Sequence, residues 1–161
     1  MKNLFFYGTL CHIPLLEIVL GRPAASLDIQ TAVLPDHAVM AVAEGPFPMI
    51  VAHPGSHADG IILRAMSADD IARLTYYEAG FDYDLVAVTL ASGDVADAYF
   101  PNPGAWTADG VWSLSAWVAK WGVATGFSAR GVMDGFGTVS PKDVAARFPL
   151  SAHPRPRLFC R

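Results

Sequence analysis

Asn3-Leu4-Phe5-Phe6-Tyr7-Gly8-Thr9-Leu10 opens the chain with an apolar, aromatic run that stops at a glycine. Such a run suits a buried strand ending in a turn that glycine permits. Candidate chemistry is therefore expected where this strand ends. Residues 12–20 are expected to follow as a short helix, with Pro14 in its first turn and Gly21-Arg22-Pro23 as its stop.

Beyond Ser26 the pattern changes to successive strands, expected over residues 31–34, 38–43, 49–52 and 60–66 and separated by Pro35-Asp36, Glu44-Gly45-Pro46 and Pro54-Gly55. This spacing implies a curled sheet or barrel. Ser67 is an N-cap with Asp69 and Asp70 in the first turn, and Ile71, Leu74 and Tyr77 fall at helical spacing, so a helix is expected to end near Gly80. Residues 82–90 and 95–100 read as a hairpin turning at Ser92-Gly93-Asp94. After Pro101, Pro103 and Gly104 the chain reads as a helical appendage over 111–120, then a short helix from Ser140-Pro141 through Ala146. Pro149, Pro154 and Pro156 predict an extended tail. The expectation is an α+β chain with a small mixed β-barrel and flanking helices. Residues 1–100 form its core and 101–161 a C-terminal helical extension of the same domain.

At 161 residues and 53% hydrophobic, the chain can bury one substantial core, and one domain is expected. A charged fraction of 16% and a mean hydropathy of +0.34 argue against disorder. The net charge of -4 gives no basic field for a phosphate backbone, so nucleic acid is not an expected partner. No apolar run reaches a membrane span, and the chain enters an apolar strand after a single Lys2, so neither insertion nor export is expected and the location is read as cytoplasmic. Cys11 and Cys160 are read as free thiols. The oligomeric state is left open.

Glu78 stands out because it falls at the C-terminal end of a helix, where the macrodipole disfavours negative charge. Tyr76, Tyr77, Phe81 and Tyr83 surround it in sequence, and desolvation beside such rings raises a carboxyl pKa. The alternative is a solvent-facing helix-end acid. Asp82 and Asp84 either share a strand face near Glu78 or are exposed strand-entry acids. Tyr7 reads equally as a core aromatic, with its ring packed below and its hydroxyl reaching a pocket.

Other constellations are weaker. His53 and His57 have the spacing of helical zinc ligands, but Pro54-Gly55 opposes the helix, so a surface turn is expected. Cys11-His12 are adjacent and diverge, Gly135-Phe136-Gly137 lacks the strand and spacing of a dinucleotide loop, and no Walker sequence or nucleophile elbow is present. No cofactor and no metal are expected. Trp112, Trp117 and Trp121 are read first as core and second as a cap on a pocket or partner surface.

Four segments occur in a telling order: Phe6-Tyr7-Gly8-Thr9-Leu10, Phe47-Pro48-Met49-Ile50-Val51, Asp59-Gly60-Ile61-Ile62-Leu63 and Leu74 through Tyr83 with Glu78 inside it. Together, over residues 2–100, they resemble γ-glutamylcyclotransferase-like (AIG2-like) domains, with Thr9 where the family more often carries serine. The resemblance implies a small-molecule γ-glutamyl substrate. Its polar groups would rest on the backbone of Gly8, Thr9 and Leu10, with Tyr7 and Tyr83 as further binding residues. Glu78 would be the catalytic base that deprotonates the α-amino group before it attacks its own γ-carbonyl, giving 5-oxoproline and a released amine. The alternative is a non-catalytic ligand-binding or accessory module, related to domains that occur fused ahead of Nudix hydrolases. The Nudix box itself is absent from this sequence.

Overall fold

Strand β1 (Lys2–Phe6) alternates between two apolar surroundings, as period-two geometry requires. Leu4 and Phe6 enter one buried cluster with the helices, whereas Phe5 and Tyr7 enter a second cluster with Leu34, Ile50 and Ile62. Both faces are covered, which is why the strand reads as a continuous apolar run. These relations come from a computed structural model, described here over residues 1–147. The extended tail expected at Pro149, Pro154 and Pro156, and the thiol of Cys160, lie outside the described residues.

β1 pairs antiparallel with β3 (Gly45–Met66) through Leu4 opposite Leu63, Phe5 opposite Ile62 and Phe6 opposite Ile61, and parallel with β5 (Val95–Pro101). Gly60 permits the first pairing, because a Cβ there would collide with the Phe6 carbonyl oxygen and lie 2.8 Å from the Phe5 ring. β3 pairs along its length with β2 (Asp28–Val42). The breaks expected at Pro35-Asp36 and Pro54-Gly55 are bulges within this long ribbon. Asp36 and Gly55 take positive φ of 58° and 82°, and the Gly55 amide donates to Asp36 Oδ1 at 2.9 Å.

With β4 (Tyr83–Thr89) and β6 (Ala108–Val111) the strands form one six-stranded mixed sheet in the order β4-β5-β1-β3-β2-β6. It curls: the His37 ring of β2 packs edge-on against Phe100 of β5 at 5.6 Å, and the Tyr83 hydroxyl of β4 donates to the Pro48 carbonyl of β3 at 2.6 Å. β4 and β6 remain edge strands, so the sheet is curled but open rather than a closed barrel. The α+β class is as expected.

Helices α1 (Ile13–Leu20) and α2 (Ala68–Glu78) contribute Leu15, Leu16, Val19 and Leu74 to the first cluster. α2 starts on a reciprocal capping box between Ser67 and Asp70, and Arg22 pairs with Asp70 at 2.8 Å. The expected helix over 111–120 is displaced. Val111 ends β6, and the helical chain runs through α3 (Leu114–Trp117), a π segment (Val118–Gly122) and α4 (Val123–Asp134). Gly122 and Gly126, which weaken helix propensity, sit where a Cβ would come within 3.5 Å of His12 and 3.6 Å of Ile18, so small residues let this helix pass close to α1. Helix α5 (Pro141–Arg147) follows.

Candidate active site

The strand-to-turn junction at the end of β1 builds one wall of a cavity. Beyond Tyr7 the backbone bends at Gly8, where a Cβ would sit 2.8 Å from Pro48 Cγ, and enters a 3-10 turn over Thr9–Cys11. The amides of Thr9 and Leu10 begin that turn, where no earlier carbonyl within it accepts them. α2 supplies the opposite wall. It ends at Glu78, the Phe81 amide returns to the Glu78 carbonyl at 3.0 Å, and Asp82 at φ 54° redirects the chain into β4 so that Tyr83 faces the same space.

The resulting cavity has about 400 Å³ of empty space, part of it open to solvent, and brings together Tyr7, Gly8, Thr9, Leu10, Glu78 and Tyr83, with Phe47, Pro48, Phe81 and Tyr99 completing its walls. The six residues singled out in the sequence thus line one pocket. Tyr99 was not among them. Its strand, Val95-Ala96-Asp97-Ala98-Tyr99-Phe100-Pro101, carries no motif that singles Tyr99 out, and only the parallel β1/β5 pairing brings it beside Tyr7.

Glu78 keeps a partial opening to solvent, but its carboxyl lies among apolar and aromatic walls, and burial pushes its pKa up to about 8. It makes no ion pair or hydrogen bond among the described residues. The neighbouring phenols turn elsewhere: Tyr7 donates to the Tyr99 carbonyl at 2.6 Å, Tyr83 to the Pro48 carbonyl, and the Tyr99 hydroxyl lies 3.4 Å from Thr75 Oγ1. Burial first, and the charge of Glu78 among the further causes, raise the pKa of all three, Tyr99 to about 12, so they stay neutral. The pocket therefore presents an acid that is costly to ionise until a cation enters.

Asp82 and Asp84 are exposed and do not join this site. Asp82 instead accepts from Asn102 Nδ2 at 2.8 Å and fixes the turn into β4. His53 and His57 are also exposed, His53 Nδ1 lying 2.7 Å from Ser56 Oγ and His57 Nε2 3.7 Å from Asp59, and no metal-binding cluster of three or more such residues occurs among the described residues. Cys11 is held 3.2 Å from the Phe6 carbonyl with its thiol pushed up to about 12 by burial, so it is a poor nucleophile. His12 turns instead to the edge of Trp117, at 6.1 Å between ring centroids. Trp117 is buried and donates to the Pro46 carbonyl at 2.6 Å, while Phe136 packs on Tyr76 within the core. Among the described residues no helix is long and apolar enough to cross a membrane.

Comparison with known proteins agrees with this geometry. The sequence model of the family described as "Gamma-glutamyl cyclotransferase, AIG2-like" matches residues 4–114, which contain every residue of the pocket. None of the curated proteins matches the chain. Among solved structures, one of an Arabidopsis thaliana protein superposes with a TM-score of 0.57 at 20% identity, covering 83% of this chain and 82% of that one. A structure named gamma-glutamyl cyclotransferase gives 0.56 at 13% identity, over 91% and 98% of the two chains. A Homo sapiens protein gives 0.54 at 15% identity, over 66% and 69%. These likenesses concern the fold.

Proposed function

The chain belongs to the gamma-glutamyl cyclotransferase, AIG2-like family, and from that premise we propose that it cyclises a small γ-glutamyl amine or amino acid to 5-oxoproline, with Glu78 as the base. The observation that carries this reading is the unpaired Glu78 carboxyl facing the Gly8–Leu10 turn across one small pocket. An ammonium group entering there supplies the missing positive charge and favours ionisation of Glu78.

The proton then moves from the substrate's α-ammonium to Glu78, which frees a nitrogen lone pair for attack on the γ-carbonyl carbon. A carbon–nitrogen bond closes the five-membered ring. The amide carbon–nitrogen bond breaks as Glu78 returns its proton to the leaving nitrogen, and the ring nitrogen gives up its second proton to the released amine, which departs as an ammonium ion. No water is consumed. The amides of Thr9 and Leu10 are the donors proposed for the substrate's anionic groups, with Tyr7 and Tyr83 shaping the cavity. Residues 101–161 are read as an extension of the same domain. The proposed compartment is the cytoplasm, where a thiol such as Cys11 stays reduced.

The test is product analysis in heavy-oxygen water with a panel of γ-glutamyl amides. Equimolar, unlabelled 5-oxoproline and free amine are expected. Glutamate carrying heavy oxygen would mean hydrolysis, and no product from folded protein across the panel would leave a binding module in place of an enzyme.

A further inference from the structure

A second cavity, with about 700 Å³ of empty space, part of it open to solvent, adjoins the Glu78 pocket. Thr9, Phe47 and Phe81 line both, so the two cavities share a wall and the second lies within reach of a group bound at Glu78. That cavity lies between the start of β3, the end of α2 and the helices α4 and α5. Among the described residues its lining contains no charged side chain. Rings and aliphatic groups such as Tyr77, Trp117, Val132 and Val144 dominate, and polarity is confined to hydroxyls, including that of Tyr76, which is buried without a partner among the described residues.

The absence of charge discriminates between leaving groups. A leaving amino acid carries an α-carboxylate, and burying it here would leave it without a cation among the described residues. The bound amide of an apolar amine brings no charge into the cavity and loses only its water. Resting on the proposed cyclisation of a γ-glutamyl group, we infer that the second cavity is the leaving-group subsite, and that the substrates are γ-glutamyl amides of apolar or aromatic amines that lack a carboxylate.

Matched amides decide this. γ-Glutamyl ethylamide and γ-glutamyl phenethylamide release amines of similar basicity, so a difference in kcat/KM reports the subsite rather than the leaving tendency. γ-Glutamyl phenylalanine adds the carboxylate. The phenethylamide is expected to exceed both of the others by about tenfold or more. Ala145→Trp on α5, where Ala145 is half-buried, and Ser128→Trp on α4 fill the cavity from two independent elements. Each is expected to remove the phenethyl advantage while turnover of the ethylamide persists. Equal kcat/KM for the three substrates, or equal loss for ethyl and phenethyl amides in both filled variants, would overturn the inference while leaving cyclisation intact.

Binding of the same three compounds to Glu78→Gln, followed by tryptophan fluorescence because Trp117 lines the cavity, gives a readout independent of turnover. The phenethylamide is expected to bind about tenfold tighter than the ethylamide. Equal affinity overturns the subsite. Preferential binding without turnover by the wild-type protein would preserve the subsite and sink the cyclisation instead.

Discussion

At pH 7 a carboxyl whose pKa stands near 8 is ionised in only about a tenth of free molecules. If ionised Glu78 is the base, kcat/KM rises with pH through about 8 and falls again once the substrate ammonium itself deprotonates. A flat profile from pH 6 to about 8.5 would remove Glu78 from that role. The same shift bears on stability. Because the folded state holds the Glu78 proton more tightly than the unfolded chain, stability falls as pH rises from about 4.5 to about 8 and is level above that. Glu78→Gln should therefore melt close to wild type near pH 5 but above it near pH 9, by at most a few kcal/mol. A lower melting temperature at both pH values would make Glu78 a structural carboxylate. Glu78 was legible from its helix-end position and neighbouring rings. Tyr99 was not, because its place in the pocket depends on a long-range parallel pairing that leaves no local pattern.

The element that aims Glu78 is α2, and its anchor is at the far end. Asp70 is almost fully buried; burial alone would raise its pKa, but hydrogen bonds from Ser67 and the Arg22 guanidinium outweigh this and hold it below the usual range. Its contribution is present above the ordinary aspartate range and lost as pH falls below it. Asp70→Ala removes the capping box and leaves Arg22 without that partner, so a loss of about 1–3 kcal/mol is expected in urea melts. A change within error would mean that α2 is held by its apolar face alone. In the β1/β3 pair, Gly60→Ala forces a methyl against the Phe6 carbonyl and should cost at least about 2 kcal/mol or abolish folding. Gly8→Ala meets the side chain of Pro48 instead, so the expected result is a folded protein with a raised KM. Most element types could be read from periodicity and caps, including the capping box of α2. The bulged ribbon and the helix through Gly122 and Gly126 could not, since Pro-Gly and glycine in sequence mark a break whether or not tertiary packing overrides it.

In the whole molecule, the curled sheet and the helices divide the work. The sheet brings the end of β1 and the start of β4 to one place, and the 114–134 helical chain closes an apolar space beside it. Sequence order alone carried the first of these, because the segments around Tyr7, Gly60 and Glu78 are each local and short. The second depends on where a helix beyond residue 120 packs, which no motif announces. The openness of the sheet was equally hidden, since alternating strands do not say whether their edges meet. Cyclisation here depends on Glu78 transferring the proton that starts ring closure. Its most direct test is 5-oxoproline release from γ-glutamyl amides by wild-type protein beside Glu78→Gln, with folding of both verified by circular dichroism. Release by wild type and a loss of about 10²–10⁴-fold in the variant are expected; a folded variant that retained wild-type turnover would remove Glu78 from the chemistry.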